Sequence, residues 1–258
     1  MEFKEHEIIW TDEKVARLWD FYSRTFPYNE LYFTKAVGKD VLKRTQKIVG
    51  KLTGLTILDF GCGPGFLVDH LISLNIKPKK YIGLDFSKKS IDALLTKRDR
   101  ANFPIEGIFV SKLPSSLEKN TIDLCFLIEV IEHLNDEYLE KTLQEVYRVL
   151  IPEGKLIITT PNKEDLRLSM NFCPECGCIY HKWQHVRSLD RFNLEKVVEA
   201  YGFRRLKIVE TNFLSRDNIL KYFYHWLRYK LKGEKTICLG FLSKMQESNE
   251  KWRVRYER

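Results

Sequence analysis

The stretch Leu55-Thr56-Ile57-Leu58-Asp59-Phe60-Gly61-Cys62-Gly63-Pro64-Gly65-Phe66 decides how this chain is read. Its first half is a short apolar run, as expected of a strand buried on both faces. The run stops at a cluster of glycines, and helical spacing begins at Phe66 and continues to Asn75. Glycines at such a junction let the backbone turn tightly and let a ligand lie against it. The helix start that follows brings a partial positive charge, which suits a carboxylate or phosphate.

Downstream the alternation continues. Lys80-Tyr81-Ile82-Gly83-Leu84-Asp85 reads as a second strand, with Ser87 capping the next helix. Ile105 to Val110 and Ile122 to Ile128 read as a third and fourth strand. Tyr138 to Leu150 reads as a helix ended by Pro152 and Gly154, and Lys155 to Thr160 as a fifth strand. Strands interleaved with helices imply βαβ units and a mostly parallel sheet. Upstream, residues 12 to 53 read as helices, with Val15, Leu18 and Trp19 on one face and Val41, Leu42, Thr45 and Ile48 on another. Pro27 and the aromatics Tyr28, Tyr32 and Phe33 interrupt them, and the region is either a lid over a ligand or a helix packed on the sheet. After residue 160 the alternation breaks. Residues 161 to 190 show no period and hold a cysteine cluster. A helix (Leu194 to Tyr201), a sixth strand (Phe203 to Val209) and a helix over 217 to 232 follow, and Trp252 to Tyr256 alternates as a closing strand would.

Asp85, at the end of the second strand, can accept both ribose hydroxyls of a bound nucleoside. A dinucleotide loop wants a third glycine three positions after the second, and that position is Phe66 here. The order Asp59-x-Gly61-x-Gly63-x-Gly65 instead resembles the first motif of class I S-adenosylmethionine-dependent methyltransferases. The resemblance is good over residues 54 to 160 and looser to about 210. It implies an α/β Rossmann-like fold: a mostly parallel seven-stranded sheet with helices on both faces, an N-terminal helical lid over residues 1–53, and a core over 54–213. The Cys/His-rich segment 161–190 would be an insertion after the fifth strand, and 214–258 a basic aromatic extension completing the core. It also implies a cofactor site of Asp59, Gly61, Cys62, Gly63, Gly65, Asp85, Phe86 and Glu129, with Asp59 and the loop at the methionine end and Asp85 on the ribose. Many members carry an acid after the third strand to meet adenine. Ile108-Phe109-Val110-Ser111-Lys112-Leu113-Pro114 has none, which leaves Ser111 or the backbone for that contact.

After the fourth strand comes Glu129-Val130-Ile131-Glu132-His133-Leu134. On a helical turn, spacings of three and four put Glu129, Glu132 and His133 on one face. Two carboxylates and an imidazole facing a cleft can bind a divalent cation such as Mg, Mn or Zn. This run resembles two methyltransferase groups, one acting on catechol-like hydroxyls of ubiquinone precursors and one on the 3′-terminal ribose of small RNAs. In the RNA group a Glu-x-x-Glu-His run and a later histidine hold metal, and His185 is the match for that later ligand. A cation touching adjacent oxygens lowers the pKa of a hydroxyl and fixes it beside the methyl group. Without metal, His133 or His185 would be the general base, so Glu132, His133 and His185 are the candidate catalytic residues.

The segment Cys173-Pro-Glu-Cys176-Gly-Cys178-Ile-Tyr-His181 is dense in soft ligands and resembles a zinc knuckle. Cys173, Cys176, Cys178 and His181 could close a tetrahedral structural zinc site, leaving His185 for the cleft; a split site using His185, or an unliganded loop over the acceptor, are the alternatives.

Composition sets the partners to consider. With 258 residues and 44% hydrophobic content, the chain can bury a sizeable core. No stretch approaches the roughly 18 apolar residues that span a bilayer. The start, Met1 to Glu7, lacks the basic-then-apolar order of a signal peptide, so the expected compartment is the cytoplasm. The net charge of +8 resides in the last part of the chain, which holds 14 Lys and Arg against 6 Asp and Glu from Phe203 onward. That part also carries Tyr222, Phe223, Tyr224, Trp226 and Tyr229. It is a solvated helix face over a buried aromatic stripe, a peripheral contact with anionic membrane, or, less favoured, a nucleic-acid surface. The expected acceptor is a small or lipid-linked molecule. An RNA acceptor and a non-enzymatic binding subunit are the competing expectations.

Overall fold

The apolar runs pair into one seven-stranded sheet whose two faces are both covered. A computed structural model of the chain describes residues 4–213 and 237–245. The strands are β2 (Thr56–Phe60), β3 (Lys80–Asp85), β4 (Ile105–Phe109), β5 (Ile122–Ile128), β6 (Leu150–Pro161), β9 (Phe203–Thr211) and β10 (Ile237–Lys244). Their order is β4-β3-β2-β5-β6-β10-β9, parallel except for β10, which runs antiparallel to both β6 and β9. The chain winds outward from β2 in one direction and from β5 in the other. The crevice above their carboxyl ends is therefore a topological switch point, where open α/β sheets place ligands.

Residues alternate between the two faces. Ile57, Leu124, Phe126, Leu239 and Phe241 pack with Val41, Leu42, Leu67, Leu71 and Leu94, from helices α2 (Phe33–Val49), α3 (Phe66–Ser73) and α4 (Lys88–Leu95). Leu58, Cys125, Leu127, Cys238 and Leu242 pack with Leu143, Val146, Leu194 and Val198, from α5 (Asp136–Val149) and α6 (Arg191–Ala200). Each such side chain withdrawn from water stabilises the fold by roughly 1.5–3 kcal/mol before entropy is counted. Ser87 accepts from the Ser90 amide to cap α4, Asn135 accepts from Tyr138 to cap α5, and Asp190 accepts from Phe192 and Asn193 to cap α6. Among the described residues no helix is long and apolar enough to cross a membrane.

Two local expectations change. The segment after β6 is not without secondary structure: β7 (Met170–Phe172) and β8 (Cys178–His181) form a hairpin, and β1 (His6–Glu7) adds to β8 in parallel. Strands of two to four residues are too short to show a period. The strand that completes the seven is Ile237–Lys244, inserted between β6 and β9. The expected helix over 217–232 and the alternating Trp252–Tyr256 lie outside the described residues. α1 (Asp12–Arg24) joins β1 to α2.

Candidate active site

The glycine loop sits directly on the carboxyl end of β2. Gly65 is the N-cap of α3 at φ 78, and a Cβ there would lie 2.4 Å from Leu94 Cδ1, so the turn admits only glycine without displacement. Asp85 ends β3 and reaches back into the loop. Its Oδ2 accepts from the Gly63 amide at 2.9 Å and its Oδ1 from the Ser87 amide at 2.7 Å. Burial raises the Asp85 pKa, and the amides of Ser87, Gly63 and Phe86 oppose that rise. Each oxygen keeps a second lone pair, which suits a vicinal diol. Asp59 is nearly buried and takes the Tyr81 hydroxyl on Oδ2 at 2.5 Å. Burial pushes its pKa up to about 7 against that bond. Cys62 is buried beneath the loop, while Phe86 is half exposed between Phe60 and Tyr138. Tyr32, just ahead of α2, lies across the loop: its ring would be 3.6 Å from a Cβ on Gly63. Burial and the Asp85 carboxylate push its hydroxyl up to about 12. A nucleoside whose ribose meets Asp85 and whose charged end meets the α3 N-terminus fits these residues.

Beside this loop, at the carboxyl end of β5, the acidic run takes a shape the sequence does not predict. Glu129 is not on a helix. It adopts φ 51, and Ile131–His133 is a single 3-10 turn, so the three residues do not share an α-helical face. They approach one another all the same. Burial, and then the Glu129 carboxylate, push Glu132 well above its ordinary range, and burial pushes Glu129 up to about 7. His133 is driven down to about 3, by burial first and His185 second, so its imidazole is neutral at physiological pH. Donor atoms of Glu132, His133 and His185 lie within 4.8 Å of one another, and the Glu129 carboxylate is near enough to act on that of Glu132. Glu129 Oε1, both Glu132 oxygens and His133 Nδ1 are buried without a hydrogen-bond partner. Leaving such groups unpaired costs about 1–3 kcal/mol each. Glu132, His133 and His185 bring carboxylate and imidazole donors close enough to share one divalent cation.

The region after β6 supplies the rest. Glu164, which sequence reasoning missed, places Oε2 2.5 Å from His185 Nδ1. Its Oε1 is 3.6 Å from His181 Nε2, and the His185 amide donates to His181 Nδ1 at 3.0 Å. Glu164, His181 and His185 thus make a second set of mutually close donors. His181 belongs to this buried cluster and does not join the cysteines, which corrects the expected zinc set. The reason is strand alternation: Cys178 and His181 are three apart on β8 and face opposite sides. Gln184 was also missed. At φ 62, it donates through Nε2 to the His133 carbonyl at 2.8 Å and accepts from Trp19 Nε1 at 3.1 Å. The Val186 amide donates to the Glu132 carbonyl at 2.8 Å. Trp19 stands edge-on to His133 at 5.1 Å, and Tyr22, Tyr28 and Trp183 pack together beside it, Tyr22 and Tyr28 stacked at 4.4 Å. A basic recess lined by Lys119, Arg148 and Lys244 lies at the amino end of β5, remote from this chemistry.

A Rossmann-like sheet with a nucleoside seat over β2 and β3 and a polar cluster over β5 defines a class I S-adenosylmethionine-dependent methyltransferase. Comparison with known proteins agrees: the methyltransferase domain model matches residues 28–208, and the chain belongs to that family. It is 33% identical over 189 residues to the mitochondrial ubiquinone biosynthesis O-methyltransferase of Rattus norvegicus, covering 68% of this chain and 50% of the relative. It is 34% identical over 222 residues to the demethylmenaquinone methyltransferase of Lactococcus lactis, covering 82% of each. The chain spans about half the length of the ubiquinone-pathway relatives it matches. Among solved structures, the Burkholderia thailandensis 1,6-didemethyltoxoflavin N1-methyltransferase shares the fold with a TM-score of 0.64 at 13% identity, over 95% of this chain and 94% of that one.

Proposed function

We propose that this domain methylates a hydroxyl of a small acceptor carrying adjacent oxygens, held against a divalent cation on Glu132, His133 and His185 with Glu129 close by. The observation that supports this most is the group of buried, unpartnered oxygen and nitrogen donors beside the glycine loop. When bound, S-adenosylmethionine supplies a methyl group activated on a sulfonium sulfur. The glycine loop and Asp85 would hold its nucleoside. A cation in the carboxylate–imidazole set would lower the pKa of an acceptor hydroxyl. The chain's own part is to align acceptor and donor and to exclude water. Glu164 accepts from His185 Nδ1–H and so leaves the Nε2 lone pair for the cation or for the acceptor's proton. Trp19 and Gln184 fix the His133 loop, and the Tyr22–Tyr28–Trp183 group offers flat apolar faces suited to a planar acceptor. The name of the ubiquinone biosynthesis O-methyltransferase relative agrees with an oxygen acceptor.

The Glu164–His185 contact favours a second reading, in which the pair is a metal-independent general base. A transfer assay with labelled S-adenosylmethionine separates them, using a catechol, a monophenol and a short RNA as acceptors, each with and without chelator. Transfer to the catechol that is lost with chelator, and lost in Glu132→Gln, supports the metal reading. Chelator-resistant transfer that is lost in His185→Asn supports the base. Transfer confined to the RNA 3′ end overturns the small-acceptor reading.

A further inference from the structure

The three cysteines of the β7–β8 hairpin do not reach His181, yet β1 brings another histidine to them. The hairpin register pairs Phe172 with Ile179, and the Cys173 amide donates to the Cys178 carbonyl at 2.9 Å, so Cys173 and Cys178 stand opposite each other. On the other side of β8, His6 is the register partner of Cys178. Paired residues on neighbouring strands project to the same face, with Cβ atoms roughly 5 Å apart. Cys173, Cys178 and His6 therefore share one face, and Cys176 sits in the turn joining the strands. His181, an odd number of residues from Cys178, points to the other face and is bound up with Glu164 and His185.

The turn itself has the form of a metal knuckle. Gly177 sits at φ 76, and a Cβ there would lie 2.5 Å from the Lys4 carbonyl oxygen, so glycine is what lets the turn press on the N-terminal segment. The Gly177 amide closes the turn on the Cys173 carbonyl at 2.9 Å, and the His6 amide donates to the Gly177 carbonyl at 3.0 Å. Cys173 and Cys176 flank this turn with the Cys-x-x-Cys spacing of a metal knuckle. None of the four residues is buried, so a metal ion can reach them.

We propose that Cys173, Cys176, Cys178 and His6 bind a structural zinc ion that staples the N-terminal segment to the β7–β8 hairpin. Three thiolates and one imidazole are a tetrahedral zinc set. No three of these donor atoms yet lie within 4.8 Å of one another, and closure requires rotation of exposed side chains on a backbone already in register. The staple spans the two segments that cover the active site. β1 leads into α1 with Trp19, and β8 leads into His181 and His185. Trp10 already meets Tyr180 across this junction, with ring centroids 6.4 Å apart.

The test uses the tag-free full chain, stripped of metal and titrated with cobalt(II), which reports thiolate ligation by a sulfur-to-cobalt charge-transfer band. One cobalt per chain is expected with that band. Cys176→Ser should remove most of it, His6→Ala should weaken binding by roughly tenfold or more, and His6→Cys should restore binding with a stronger band. His181→Asn should leave the band unchanged. Absence of the band in the folded wild-type chain overturns the proposal, as does a band lost in His181→Asn but untouched in His6→Ala. Where a variant does not fold, cadmium-113 NMR on the wild-type chain decides instead. A shift typical of three sulfurs and one nitrogen is expected, and a shift typical of oxygen and nitrogen ligands alone overturns it.

Discussion

Asp59 shows how one buried carboxyl can set a pH dependence. Its pKa rises from the ordinary 3.8 to about 7 because burial outweighs the Tyr81 hydrogen bond. A group whose folded pKa is raised binds more protons folded than unfolded. Its contribution to stability is therefore fully present below about pH 4 and is lost as the pH rises through about 7, at no more than about 1.4 kcal/mol per pH unit. Asp59→Asn keeps an acceptor for Tyr81 and removes the titration. Thermal unfolding from pH 5 to 8.5 should show the variant gaining on the wild-type chain as pH rises; parallel curves would show that Asp59 does not titrate there. At this same scale the sequence was uneven. Asp85 and the glycines were readable, because chemistry and spacing coincide at a strand end. Glu132, His133 and His185 were readable as donors, but not their mutual distances. Glu164 and Gln184 were not readable at all, because their partners lie across a loop and no spacing rule joins them.

At the scale of elements, the glycine loop is the part whose geometry admits least change. Gly65→Ala would put a side chain at φ 78 against Leu94. The expected loss is about 1–3 kcal/mol, accompanied by weaker S-adenosylhomocysteine binding, since α3 must shift to admit the methyl group. Denaturant unfolding and calorimetric titration of the same sample check both; an unchanged midpoint and affinity would contradict the assigned strain. The elements read correctly from sequence are those with enough length to show a pattern. β3 has the bounds its apolar run suggests, and Ser87 caps α4 as its position implies. The shared face of Glu129, Glu132 and His133 is expected only on an α-helical turn, and Ile131–His133 is a 3-10 turn instead, because a spacing of three fits both. β7 and β8 went unread, and the zinc set was misassigned with them: a His181 placed on a loop can reach Cys178, but on a strand it faces away.

Over the whole molecule, β10 is the tie between the parallel core and its last strand. It pairs on both sides and is buried along its length. Phe241, 1% exposed, fills the face under α2 and α3. Truncating Phe241→Ala should cost about 3–5 kcal/mol, read as one cooperative shift in the urea midpoint. A shift below about 1 kcal/mol would mean that β9 and β10 contribute little to the core. The sheet class was legible from the strand–helix alternation over residues 54 to 160. The edge was less so, because Gly240 interrupts the apolar run of β10 and the stretch before it offers no βαβ spacing.

The central claim is that a methyl-donor seat and a divalent-cation site stand side by side over β2 and β5. Manganese binding to the metal-stripped chain, followed by electron paramagnetic resonance in the presence of S-adenosylhomocysteine, tests it most directly. Manganese favours carboxylate and imidazole over the cysteine hairpin. One bound ion per chain is predicted, lost in Glu132→Gln and in His185→Asn. Its affinity should rise with pH, because burial raises the pKa of the carboxyls and each must lose its proton before it binds the cation. No bound manganese, or binding indifferent to both substitutions, would contradict the claim and leave the Glu164–His185 pair as the base.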